Sequence, residues 1–111
     1  MTEVRHASLA DIIAEIDRLP ADARFTYPIR NGTMRAGVYA PRDRDTQTPH
    51  DQDEIYIIAS GCGRFELSGK QIPFAPGDIL FVKAGEPHCF VQFTSDFATW
   101  VMFWGERGGE G

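Results

Sequence analysis

"PHDQDEIYIIASGCG", residues 49–63, sets a histidine and a glutamate four positions apart at the entry to a run of apolar, largely β-branched residues that ends at glycine. Isoleucine and tyrosine at this density favour a strand. Successive side chains of a strand point to opposite faces. His50, Gln52, Glu54, Tyr56 and Ile58 therefore share one face, provided that no bulge intervenes. Ionisable groups where a buried strand begins either sit on a solvated loop or point into a cavity and hold something there.

The same period of two continues on both sides of this run. "RFTYPI", "TMRAGVYA", "EIYIIA", "GRFELS", "KQIPF", "DILFV", "PHCFVQF" and "FATWVMFW" alternate with turn signals such as "RNG", "SGCG", "SGK", "APGD", "KAGE" and "TSD". Eight strand candidates spaced largely as hairpins predict an all-β sandwich or barrel. Pro76-Gly77 fits the centre of a type II turn, and Ser68-Gly69-Lys70 a tight hairpin. The polar stretch Pro41 to Pro49 reads as a loop.

One helix is expected, in the first twenty residues. Ser8 is a good N-cap, Asp11 lies in the first turn, Leu9, Ile12, Ile13, Ile16 and Leu19 form one apolar stripe, and Pro20 stops it. That stripe needs a surface to cover, either the outside of a sheet or a partner subunit. In "FATWVMFW" both parities are apolar: Phe97, Val101 and Phe103 on one, Trp100, Met102 and Trp104 on the other. A half-exposed sheet alternates instead, so the outer face is expected to be covered by the helix or by a second copy, and a homodimer is the expected assembly. The chain divides into a helix and lead-in (1–24), a β-barrel (25–105) and a frayed tail (106–111).

At 111 residues the chain makes one domain. Lys and Arg number 11 against 16 Asp and Glu, a net charge of −5, and no basic stripe is present. A broad electrostatic hold on nucleic acid is thereby disfavoured. The apolar runs are far short of the roughly 20 residues that cross a bilayer. The first residues carry acids through their apolar part, unlike a secretory signal, and a cytoplasmic location is expected. Cys62 and Cys89 read as two reduced thiols.

His88 opens "HCFVQF", where parity groups it with Phe90 and Gln92. If this face and that of Glu54 look into the same barrel, His50, Glu54 and His88 converge. Two imidazoles and a carboxylate bind a divalent metal and leave coordination positions open. Gln52 points with these ligands and is a candidate fourth ligand or water contact. Tyr56, Phe90, Gln92, Trp100 and Met102 are candidate cavity-lining residues, with core packing as the alternative. Asp53 replaces Glu54 as ligand if the strand is bulged, and Cys89 faces away from the site by parity. Arg42 and Arg44, on the loop before His50, are either solvated or placed to meet an anionic substrate.

The stretch around His50 resembles the first conserved motif of the cupin superfamily, a glycine followed by H-x-H-x(3,4)-E, six residues and a glycine. His50 matches the second histidine, Glu54 the glutamate and Gly61 the closing glycine. "GDILFVKAGEPHCFVQF" resembles the second motif, G-x(5)-P-x-G-x(2)-H-x(3)-N, through Gly77, Gly85 and His88. The likeness spans about residues 34–104. It implies a jelly-roll barrel, a divalent ion (iron, manganese, nickel or zinc) and dioxygenation, isomerisation or decarboxylation of a small organic acid or phenol. Thr48 stands where the motif has its first histidine, Lys83 where it has proline and Gln92 where it has asparagine. Many cupins use three histidines and a glutamate, so this chain leaves one position for water or Gln52, and oxalate-type chemistry is less expected. The alternatives are a non-catalytic small-ligand binder or sensor, and a metal-free structural dimer.

Overall fold

All eight β-rich runs form strands in the computed structural model, which describes residues 3–110. They are β1 (Phe25–Asn31), β2 (Met34–Tyr39), β3 (Asp53–Ser60), β4 (Gly63–Leu67), β5 (Lys70–Phe74), β6 (Ile79–Val82), β7 (His88–Val91) and β8 (Ala98–Trp104). Two antiparallel sheets result, one of five strands in the order β1-β2-β8-β3-β6 and one of three in the order β5-β4-β7. The fold is a jelly-roll sandwich with a short N-terminal helix. No helix among the described residues is long and apolar enough to cross a membrane.

The turns follow the local chemistry. Ser68 and Gly69 both have positive φ (49° and 85°), as a two-residue hairpin between paired Leu67 and Lys70 requires. Gly77 has φ 92°, and the Asp78 amide donates to the Ala75 carbonyl across that turn.

Between the sheets lies an aromatic-rich core that includes Tyr56, Phe65, Phe74, Phe90, Phe97 and Phe103. Tyr56 and Phe103 come from the larger sheet, and Phe65 and Phe90 pair across β4 and β7 of the smaller one. Tyr56 meets Phe90 edge-on, with ring centroids 4.9 Å apart.

The helix α1 (Leu9–Ile16) is capped by Ser8, whose hydroxyl accepts from the Asp11 amide. It ends at Ile16, before Leu19 and Pro20, with Asp17 as its C-cap. The Asp17 carboxylate accepts from Arg24, whose Nε donates to the Ala40 carbonyl 2.7 Å away, fastening the helix end to the sheet. Ile12 and Ile16 pack with Val38, Ala40, Ala98 and Trp100, so the stripe covers the outside of the larger sheet. Beyond the helix that outer face keeps Ile79 (64% exposed) and Phe81 (48% exposed) in the open. The helix thus leaves the β6 side of the larger sheet's outer face uncovered, while the outer apolar residues of β3 and β8 are half-buried.

The tail differs from expectation. The Gly108 amide donates to the Asp51 carbonyl, and the Glu110 amide to Asp53 Oδ2 at 3.1 Å. Residues 106–110 are therefore tied to the start of β3 rather than frayed; residue 111 lies outside the described residues.

Candidate metal centre

Register along the larger sheet builds the site. Phe103 of β8 lies between Arg35 of β2 and Glu54 of β3, and Glu54 faces Val82 of β6 on its other side. In β3 the alternation places Glu54, Tyr56 and Ile58 in the core and leaves Ile55 and Ile57 half-buried on the outer face. His88 begins β7 on the opposite sheet, paired with Leu67. His50 arrives from the loop before β3, its ring edge-on to Phe103 at 4.8 Å and 5.9 Å from the His88 ring. One donor atom from each of His50, Glu54 and His88 lies within 4.8 Å of the others.

Glu54 is 1% exposed, and neither of its carboxylate oxygens receives a hydrogen bond among the described residues. His88 Nε2 lies 2.9 Å from Glu54 Oε1, an ion pair when the ring is protonated. That imidazole serves one oxygen only; a buried carboxylate with no further donor is costly, and a divalent ion between these atoms would complete its compensation. His88 Nδ1 donates to the Glu86 carbonyl at 2.8 Å, which turns Nε2 toward Glu54. This donor set fits a divalent ion: two imidazole nitrogens and a carboxylate oxygen, converging where the carboxylate lacks other partners.

The surrounding groups set the proton balance. Burial pushes the His50 pKa down, and the nearby Glu54 only partly offsets this. Burial also works against charged His88, but the contacts with Glu54 and the Glu86 carbonyl outweigh it, and the net shift is upward. Tyr56, Tyr27 and Tyr39 are all pushed up, chiefly by burial, so their phenols keep their protons. The Tyr56 hydroxyl lies 3.0 Å from His88 Nε2 and donates to Gln47 Oε1 at 3.1 Å.

Next to His50 opens a cavity of about 340 Å³, lined by Tyr27, Arg35, Tyr39, Gln47, His50 and Phe103 among others. The Arg35 guanidinium lies over the Phe103 ring, 4.4 Å from its centroid, and donates to Gln52 Oε1 at 3.2 Å. No carboxylate comes within ion-pair distance of Arg35 among the described residues.

Several residues stand elsewhere than expected. The Gln52 amide nitrogen donates to the carbonyls of Thr33 and Gly105, and its oxygen accepts from Arg35. Gln52 precedes β3, so strand parity does not govern it. Gln92 is exposed: β7 ends at Val91, and the chain turns at Gln92 with φ 51°. Trp100 and Met102 lie on the outer face of β8, paired with Val38 and Ala36 of β2, and border a small apolar pocket with Ala7 and Ile57. The inward parity is the one carrying Thr99, Val101 and Phe103. Phe90 is buried beneath Tyr56 in the closed core. Asp53 accepts from the Ala84 and Glu110 amides, which occupies its carboxylate. Arg42 donates to the carbonyls of Ala40, Pro41 and Phe97 and serves the framework; the cavity arginine is Arg35. Arg35 shares parity with Gly37 and Tyr39, a signal present in the sequence. Gln47 also enters the cavity, from a loop where no periodicity announces it.

The family model described as "Cupin domain" matches residues 37–104. An uncharacterized protein of Streptomyces coelicolor is 31% identical over 91 residues, covering 80% of this chain and 87% of that one. Among solved structures, a Cupin 2 conserved barrel domain protein from Salinispora arenicola superposes with TM-score 0.62 at 23% identity, over 95% of this chain and 90% of that one. A predicted oxalate decarboxylase from Thermotoga maritima gives TM-score 0.51 at 25% identity, over 64% of each chain.

Proposed function

The chain belongs to the cupin family, and from that premise we propose that it is a divalent-metal enzyme acting on a small organic acid, by chemistry of the dioxygenase, isomerase or decarboxylase type. His50, Glu54 and His88 hold the ion. The observation that carries this reading is the convergence of the buried Glu54 carboxylate, which among the described residues has only the His88 imidazole as a close charged partner, with two imidazole nitrogens.

A bound divalent ion supplies a Lewis acid that polarises a substrate oxygen. The chain's own residues do the rest. The Glu86 carbonyl fixes the His88 ring. The Tyr56 hydroxyl keeps its proton and donates it to Gln47 Oε1 beside His88 Nε2, which steadies both side chains. Arg35, without a carboxylate partner and lining the cavity beside His50, receives the acid group of the substrate. The similarity to a predicted oxalate decarboxylase agrees with an acid as substrate, and Arg35, which no carboxylate pairs with among the described residues although Asp22 also lines the cavity, favours an acid over a neutral phenol.

Metal analysis of protein purified without chelator tests the reading. One divalent ion per chain is expected in the wild type and none in His88→Ala. Absence of metal from both overturns the proposal. Oxygen uptake and product analysis with a panel of keto and hydroxy acids then separate an enzyme from a non-catalytic binder.

A further inference from the structure

The position that Thr48 leaves without a histidine has another side chain aimed at it. Thr48 is exposed, but its neighbour Gln47 turns inward. Gln47 Oε1 lies 3.2 Å from His50 Nε2 and 3.1 Å from the Tyr56 hydroxyl, which is itself 3.0 Å from His88 Nε2. Donors about 2.0–2.2 Å from one ion, at right or tetrahedral angles to each other, stand roughly 2.8–3.6 Å apart. The Gln47–His50 and Glu54–His88 separations, 3.2 and 2.9 Å, both fall in that range.

The orientation of the amide is fixed from behind. Gln47 Nε2 donates to Asp45 Oδ2 at 2.7 Å, and the Gln47 backbone amide to Asp45 Oδ1 at 3.0 Å. A carboxylate accepts and does not donate, so the nitrogen end must face Asp45 and the oxygen end the site. Asp45 is held in turn by the Phe90 amide at 2.9 Å and by the Tyr39 hydroxyl. A loop residue is thereby positioned by β2 and β7, the kind of outer support that metal ligands receive.

We propose that Gln47 Oε1 is a fourth protein ligand of the ion held by His50, Glu54 and His88, so that the centre is two imidazoles, a carboxylate and an amide carbonyl. The inference rests on the metal-binding reading above. A neutral amide leaves the net charge of the site as an imidazole would, but it is the harder donor. Carbonyl and carboxylate oxygens suit manganese, whereas imidazole suits zinc, copper, iron and nickel. Gln47 therefore tilts the centre toward manganese relative to a site with a third histidine.

The test is calorimetric titration of chelator-stripped protein with Mn²⁺ and with Zn²⁺, together with the visible spectrum of the Co²⁺ form. The proteins are wild type, Gln47→Ala, Gln47→Glu, Gln47→His and His88→Ala, each checked for native circular dichroism. Gln47→Ala is expected to weaken Mn²⁺ at least about tenfold and to alter the Co²⁺ bands. Gln47→Glu keeps an oxygen toward the ion but sets its other oxygen against the Asp45 carboxylate, so it should hold Mn²⁺ better than Gln47→Ala, and Gln47→His should shift the preference toward Zn²⁺. Equal affinities and identical Co²⁺ spectra for wild type and Gln47→Ala, with binding lost in His88→Ala, would overturn the Gln47 assignment alone. No binding by the wild type would overturn the metal reading and this inference with it. If Gln47→Ala fails the circular dichroism check, Gln47→His decides: an unchanged Mn²⁺ to Zn²⁺ preference in it overturns the assignment.

Discussion

Arg35 and Glu54 flank Phe103 across three neighbouring strands, a cation on one side of the ring and an acid on the other, all on the inner face of the larger sheet. The acid faces the two histidines, and the cation faces the open cavity. On the proposed reading, a substrate held at the ion by its reacting oxygen would meet Arg35 with its charged end.

Arg35→Met should therefore weaken binding of a small dicarboxylate to the metal-loaded protein by about 10–100-fold, the range of a hydrogen bond to a charged group. Metal affinity should stay unchanged, because Arg35 is not among the candidate ligands. Calorimetry with oxalate or malonate measures both. An equal loss for a neutral phenol would show that Arg35 shapes the cavity and does not read charge.

Metal affinity should rise with pH through the neutral range. Imidazole must be deprotonated to act as a ligand. The contacts of His88 with Glu54 and the Glu86 carbonyl outweigh burial and hold its pKa above the ordinary value, so an ion must displace that proton. His50, shifted down by burial, is already neutral there. Affinity should climb by about tenfold per pH unit until the raised His88 value is passed. In chelated protein the sign is opposite. Stability gained from charged His88 is full below the unfolded value of about 6.5 and is lost as pH rises through the folded one. Mn²⁺ titration in two buffers of different ionisation enthalpy should show net proton release that shrinks as pH rises; zero release at pH 6 would contradict the assigned protonation.

The strands and their turns were legible because period-two hydrophobicity and the glycine positions are local properties. The convergence of His50, Glu54 and His88 was legible for a different reason: motif spacing pointed to all three, and strand parity to Glu54 and His88. What parity could not supply was which parity of β8 faces inward. Trp100 and Met102 are as apolar as Val101 and Phe103, and the polar Thr99 on the inner side misleads. Parity also fails outside strands. Gln52 and Gln92 sit just beyond strand ends, and Gln47 on a loop whose conformation Asp45 sets through contacts with β2 and β7. Those contacts are non-local, so neither composition nor period announces them.

Gly37→Ala should destabilise the fold by about 1–3 kcal/mol, the usual cost of overpacking. A Cβ at this position would lie 1.9 Å from the Thr26 carbonyl oxygen and 2.6 Å from Tyr27 Cα, so backbone would have to move. The pairing of β1 with β2 shifts register between Thr26 and Ile29, which brings β1 close here. Because Tyr27 lines the cavity, the same change should weaken dicarboxylate binding. Urea unfolding measures the first effect; a cost under about 0.5 kcal/mol would mean that β1 yields freely.

The last prediction concerns the latch at the start of β3. Asp53 Oδ1 accepts from the Ala84 amide at 3.0 Å and Oδ2 from the Glu110 amide at 3.1 Å, so one carboxylate joins the tail to the turn after β6. Those two backbone donors, in that order of influence, hold its pKa below the ordinary carboxylate value. A depressed folded pKa contributes stability above the unfolded value, and the contribution is lost as pH falls through the folded one. Asp53→Asn replaces one acceptor with a donor that would face a backbone N–H. Exchange of the Ala84 and Glu110 amides should speed up in the variant at neutral pH, and the wild type should approach the variant's rates as it is acidified. Because Glu54 is the next residue along β3, a loosened strand start should also weaken Mn²⁺ binding, though less than loss of a ligand does. Unchanged exchange at both amides in Asp53→Asn would show that the tail is held by the Gly108 contact with Asp51 and not by this carboxylate.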